Sequence, residues 1–180
     1  MAFLLFSGAS LGALPAHADA PTAPALPTYS VALTAYNAVP AQTDGDPFTT
    51  ASGAYSNPEV VAARSQDLRD ELPFGTIIEV SGPSTPGNSC GYSVVAPVIG
   101  YRVIADVMNA RYTDRIDILF STKTNYILSD GTTKNAGTIL GICEGASVRV
   151  VGHVKISNIP KTQTELVALV RGAESPAAPK

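Results

Sequence analysis

Residues 101–120 run Tyr101-Arg-Val-Ile-Ala-Asp106-Val-Met-Asn109-Ala-Arg-Tyr-Thr-Asp-Arg115-Ile-Asp117-Ile-Leu-Phe120. Two short apolar runs rich in β-branched residues, Arg102–Val107 and Arg115–Phe120, flank a polar connection, the pattern of two strands joined by a loop. Alternation in the second run places Ile116, Ile118 and Phe120 on one face and Asp117 with Arg115 and Leu119 on the other. Aspartate is depleted inside strands, so Asp117 needs a reason to be there. One reason is structural: a carboxylate that accepts loop N–H groups beside Arg111 or Arg115 pins a crossover. The other is chemical: a partly desolvated carboxyl holds its proton near neutral pH and delivers it to a leaving oxygen. Asp106 closes the first run. If the two strands are neighbours, both carboxylates open into one cleft, and a pair of carboxylates is the minimum equipment for cleaving a glycosidic bond.

Outward from this pair, further strands are expected at residues 29–36, 60–63, 76–80 and 147–156, each bounded by Gly, Pro, Asn or Asp. Residues 81–100 hold Gly82-Pro83, Pro86-Gly87-Asn88 and Cys90-Gly91 and read as a long decorated hairpin or loop. A modest helix is expected over 122–128 behind Ser121, and a short amphipathic one over 162–171. Six or more strands without long alternating helices give a mainly all-β chain closed into a small barrel with short peripheral helices.

Composition agrees with this and removes several functions. The 180 residues carry 15 Gly and 14 Pro, 45% hydrophobic and 15% charged residues and a net charge of −3, enough for one core. No basic run occurs, so nucleic acid is not an expected partner. Two His and two Cys supply no set with metal-ligand spacing, so no metal and no cofactor is expected. Neither a phosphate-binding Gly loop nor a G-x-S-x-G elbow is present, and Cys90 has only His153 as a possible base in the mature chain.

The opening MAFLLFSGASLGALPAHADA holds an apolar stretch too short to span a bilayer and closes on Ala16-His17-Ala18. It reads as a secretory signal over 1–18, without a basic n-region, cleaved before Asp19, with an uncleaved anchor as the alternative. An extended Pro- and Ala-rich linker follows over 19–28, then the folded part over 29–171 and a disordered tail over 172–180. Such a protein is exported to the periplasm, cell wall or medium, has no membrane contact in its mature form and acts as a monomer. An oxidising compartment lets Cys90 and Cys143 form a disulfide; two buried thiols are the alternative. A second polar stretch, Gln42 to Gly53, is either a solvated turn with an Asx cap at Asp46 before Pro47 or a loop whose hydroxyls hold a hydroxyl-rich ligand.

Taken in order, Leu33-Thr-Ala-Tyr36, Phe48-Thr-Thr50-Ala-Ser52-Gly53, Val60-Val-Ala-Ala63, Leu72-Pro-Phe-Gly-Thr76, Ala105-Asp106 and Arg115-Ile-Asp117-Ile118 resemble the 3D (Asp-Asp-Asp) domain family over residues 31–150. That family is related to the catalytic barrel of membrane-bound lytic transglycosylase A. The resemblance implies a six-stranded double-psi β-barrel and an enzyme that cleaves between N-acetylmuramic acid and N-acetylglucosamine in peptidoglycan glycan strands, leaving a 1,6-anhydro end. It matches the second and third namesake aspartates to Asp106 and Asp117, with Asp117 as catalytic acid and Asp106 supporting it. It also implies that Thr50, with Ser52, Tyr36 and Asn109, contacts the sugar. Where the first namesake Asp stands in the family, this chain has Ala63-Arg64, and the Gly-rich stretch after the second is Val107-Met108-Asn109. A non-catalytic glycan-binding or structural barrel is the alternative from a different class, and a hydrolase of the same bond is another.

Overall fold

The computed structural model describes residues 26–43, 45–84 and 90–174. The signal segment, most of the linker and residues 175–180 of the tail therefore lie outside the described residues. The chain forms β1 (Thr28–Asn37), β2 (Val61–Arg64), β3 (Thr76–Ser81), α1 (Tyr92–Ile99), β4 (Arg102–Val107), β5 (Arg115–Phe120), β6 (Asn125–Ile127), β7 (Thr133–Asn135), α2 (Ala136–Leu140), β8 (Cys143–His153) and α3 (Gln163–Glu174). Six strands close into a barrel in the order β1-β5-β2-β4-β3-β8, while β6 and β7 form a separate hairpin. The pairs β1/β5 and β2/β4 are parallel. The pairs β2/β5, β3/β4, β3/β8 and β1/β8 are antiparallel. Closure gives every barrel strand two neighbours, which removes the exposed edges of an open sheet.

The period-2 alternation sorts the strands' side chains into two apolar groups. Leu33, Ala62, Ile78, Ile104, Ile116, Ile118 and Phe120 pack with Val95 and Ile99 of α1 and Ala136 and Leu140 of α2. Val61, Ile77, Val103, Leu119 and Val151 pack with Leu166 and Val170 of α3. Leu166 and Val170 stand one turn apart, so α3 buries a single stripe, as its amphipathic pattern predicts. Its start is fixed by a reciprocal cap in which Thr162 Oγ1 accepts from the Glu165 N–H at 3.2 Å and Glu165 Oε2 accepts from the Thr162 N–H at 3.2 Å. The helix continues to Glu174, beyond Arg171 where the pattern ends.

Arg102 joins several of these pieces. Its guanidinium is fully buried and donates to the carbonyls of Val98 and Ile99 in α1, Pro58 before β2 and Leu119 in β5, at 2.6–3.2 Å. Burial among carbonyls pushes its pKa down to about 9.

Two expectations are corrected. Residues 81–100 are not wholly a hairpin or loop, because Tyr92–Ile99 is helical despite its β-branched residues and Pro97. Burial of Val95 and Ile99 outweighs weak local propensity. Gly91 is required just before it, since a Cβ there would meet the Ile139 carbonyl oxygen at 1.9 Å. Residues 122–128 form no helix: Asn125–Ile127 pairs with Thr133–Asn135 through a turn in which Gly131 has φ +80° and Asp130 Oδ1 accepts from the Thr132 N–H at 2.9 Å.

Cys90 and Cys143 are bonded, with Cα atoms 5.2 Å apart and a separation of 53 residues. The bridge ties the start of α1 to the first residue of β8, and the loop it closes contains both β4 and β5. Replacing both cysteines by alanine should lower unfolding stability by about 2–4 kcal/mol, measured by urea denaturation; an unchanged midpoint would show the bridge to be energetically idle.

Candidate active site

Asp117 sits in the middle of β5, directly opposite Thr34 on β1 and Ala63 on β2. Ala63 in turn faces Asp106 on β4. The register of β2 against β4 runs Ala62 to Ile104 and then Ala63 to Asp106, so Ala105 is an extra residue, a β-bulge on β4. Without it Ala63 would face Ala105, and Asp106 would turn to the opposite side of the sheet from Asp117. With it, one lateral row reads Thr34, Asp117, Ala63, Asp106. The two aspartate backbones are two strand spacings apart, about 9–10 Å, with Ala63 between them in the row.

The same bulge holds the loop after β1. The Ala105 carbonyl accepts from the Ser52 N–H at 3.1 Å, and Asp106 Oδ1 accepts from the Ala51 N–H at 2.9 Å. Asp106 Oδ1 also takes the Val107 N–H at 2.9 Å, and its Oδ2 takes the Tyr36 hydroxyl at 2.8 Å. Burial, and then the charge of Asp106, push the Tyr36 phenol well above its ordinary range, so it remains a donor. Asp106 is thus a carboxylate that accepts three hydrogen bonds in a fixed orientation.

Asp117 is held differently. Its Oδ1 accepts one bond, from Thr34 Oγ1 at 2.7 Å. Burial pushes its pKa up to about 6; the Thr34 bond and the Arg115 charge pull against this, and Asp106 adds to the rise. The two carboxylates of one row are therefore set apart by their donors, three against one.

Both open into a cleft of about 900 Å³, near the upper end of the size of pockets that enclose small organic ligands. Tyr36, Asp106, Asn109 and Asp117 line it, together with Ala35, Gln42, Thr49, Ala51, Ser56, Ala63, Gln66, Arg111 and Tyr112. Thr50 and Ser52 stand behind this wall. Thr50 is 5% exposed, and its hydroxyl bonds to Ser52 Oγ at 3.0 Å and the Ala54 carbonyl at 3.1 Å. Their backbone shapes the loop, and the adjacent Thr49 and Ala51 face the cleft. Asp46 forms the Asx turn expected before Pro47, accepting from the Phe48 N–H at 2.9 Å. Asn109 lines the cleft, but its Oδ1 is engaged by the Arg111 N–H at 3.1 Å.

Gln42, at the start of the stretch expected to hold a hydroxyl-rich ligand, lines the cleft, whereas sequence reasoning did not reach Ala63, Gln66, Ser56 and Tyr112 as cleft residues. Polar residues in loops are too common to single out, and Ala63 contributes through its smallness. Among the described residues no group of three or more His, Cys, Asp or Glu is arranged to hold a metal ion.

The raised Asp117 pKa fixes a sign for stability. The folded state binds this proton more tightly than the unfolded chain, so the contribution is complete below about pH 4 and is lost as pH rises through about 6. Asp117→Asn keeps an acceptor for Thr34 and removes the charge. It should therefore gain stability over the wild type as pH rises from about 4 to about 7, by up to about 3 kcal/mol, measured by chemical denaturation at each pH. A constant difference across that range would contradict the buried, proton-holding carboxyl.

No protein-family model matches this sequence, and no curated protein is found to be similar to it.

Proposed function

We propose that this chain is an exported lytic transglycosylase of the 3D-domain type, built on a double-psi barrel and acting as a monomer on the glycan strands of peptidoglycan. The observation that carries the proposal is a partly buried carboxyl, Asp117, with its pKa raised to about 6, open to a large cleft and in one lateral row with a second carboxylate that accepts three hydrogen bonds. The double-psi assignment draws support from the closed six-strand order with its two parallel pairs, β1/β5 and β2/β4, joined through antiparallel β5/β2. Export draws support from the disulfide, since such bonds persist in oxidising compartments. Among the described residues no helix is long and apolar enough to cross a membrane.

In this mechanism one carboxyl serves twice. The protonated Asp117 gives its proton to the glycosidic oxygen as the C1–O bond of N-acetylmuramic acid breaks, and positive charge develops at C1. The Asp117 carboxylate so formed takes the proton of the same sugar's 6-hydroxyl, whose oxygen bonds to C1. The acid is regenerated, the bond is exchanged for a 1,6-anhydro ring, and no water is consumed. Asp106, fixed by Tyr36 and two backbone N–H groups, supplies a stationary negative charge beside the developing cation. A raised pKa suits the first step, because a donor must be protonated at the working pH.

A second reading, a glycan-binding barrel without turnover, is favoured by one observation: Asp106 bridges β4 to the Ala51 loop, which is the work of a crossover pin. Digestion of purified sacculi followed by mass spectrometry separates the two. The proposal predicts 1,6-anhydro products, a rate that falls as pH rises above about 6, and a loss of about 10²–10⁴ in rate for Asp117→Asn with folding intact. Reducing ends in place of anhydro ends would make the enzyme a hydrolase. Full activity in Asp117→Asn, or binding without any product, would leave the glycan-binding barrel.

A further inference from the structure

Arg111 is, among the described residues, the one cationic side chain on the cleft wall, opposite in charge to Asp106 at its floor. It is exposed, and the loop that carries it is held in place. Asn109 Oδ1 and the Asn109 carbonyl accept from the N–H groups of Arg111 at 3.1 Å and Tyr112 at 3.0 Å, and Asp67 Oδ2 accepts from the Asp114 N–H at 2.8 Å at the far end. The guanidinium itself is oriented by Tyr112. It lies 4.7 Å from the ring centroid and donates to the Tyr112 hydroxyl at 2.8 Å. Arg115 shares that ring at 5.2 Å, but it faces Glu144 at 3.8 Å. The ion pairs of Arg115 with Glu144 and of Arg149 with Glu79 do not engage Arg111.

A guanidinium with a planar fork, fixed orientation and no carboxylate partner among the described residues is suited to receive a carboxylate from outside. The floor of the same cleft repels one. An anionic group on the ligand is therefore directed away from Asp106 and toward Arg111, which gives the bound chain a direction as well as a preference. We infer that Arg111 is the side chain that receives a carboxylate of the bound glycan. The inference rests on the proposed glycan-cleaving reading of this cleft. Two sources share the chemistry: the free acid of a lactyl ether on the sugar, and a carboxylate of an attached peptide stem.

The test is equilibrium binding to the full chain carrying Asp117→Asn, which prevents turnover. Three ligands of equal length are compared: a neutral chitooligosaccharide, a glycan oligomer with free lactyl carboxylates, and the same oligomer bearing its peptide stems. At about 50 mM salt at least one carboxylated ligand should bind about tenfold more tightly than the neutral one, and the preference should shrink at about 500 mM salt. Whichever carboxylated ligand is preferred identifies the source. Arg111→Gln should bring the ratio close to one, and Arg111→Lys should retain most of it. A preference that survives Arg111→Gln, or an equal loss in Arg111→Lys and Arg111→Gln, would overturn the assignment to the Arg111 charge. Neutral and carboxylated glycans that bind the unmodified cleft equally would remove the carboxylate subsite alone, whereas failure of all three ligands to bind would remove the glycan reading and this inference with it.

Discussion

The bulge at Ala105 is the constraint from which the cleft follows. One extra residue on β4 shifts its register against β2, so that Asp106 comes to the same face as Asp117 with Ala63 between them. The same residue frees a carbonyl for Ser52, and Asp106 holds Ala51, so the loop after β1 becomes one wall of the cleft. Floor and wall are therefore set by a single local departure from regular pairing. The rest of the barrel keeps β4, β2 and β5 adjacent. Arg102 contributes by binding carbonyls on α1, on the segment before β2 and on β5.

Given that row, the two carboxylates differ by their surroundings alone. Asp106 lies where a strand ends and a loop returns, so backbone N–H groups and the Tyr36 hydroxyl converge on it. Asp117 lies mid-strand, where the backbone donors are used in the sheet, and only the Thr34 hydroxyl reaches it. The poorly solvated carboxyl keeps its proton up to about pH 6 and the well-donated one is a fixed acceptor, a separation of environments that suits acid–base chemistry with a pair of carboxyl groups. Arg115, two residues before Asp117 in sequence, opposes the rise without cancelling it; its guanidinium is engaged with the Tyr112 ring and with Glu144.

Much of this was legible in the residues. Arg102–Val107 and Arg115–Phe120 form where alternation puts them, and Asp117 is conspicuous because aspartate is a poor strand residue. The last strand begins at Cys143 and not at 147, because Glu144 and Gly145 obscure its pattern. The bulge had no signal: Val-Ile-Ala-Asp alternates no differently with or without an extra residue opposite Ala63, since register belongs to the pairing of two strands. Helix α1 is hidden by its valines and Pro97, and the burial of Val95 and Ile99 decides it. The β6–β7 hairpin, by contrast, left a sign in Asp130-Gly131 between threonine-rich runs, a turn dipeptide that outweighs a single serine cap. Thr50 stood out by its place in a motif, yet its hydroxyl is spent inside the loop, while its neighbours Thr49 and Ala51 face the cleft.

The account turns on one proton at one atom pair, and it is tested most directly by following the Asp117 carboxyl carbon with ¹³C NMR through a pH titration of the folded protein. Assignment is made by comparison with Asp117→Asn. A midpoint near 6, well above the ordinary aspartate value of 3.8, is the result expected for a buried carboxyl with one hydroxyl donor and a second aspartate in its row. A midpoint at or below 4 would contradict it, placing Asp117 among ordinary solvated or ion-paired carboxylates and leaving the cleft without its proton donor.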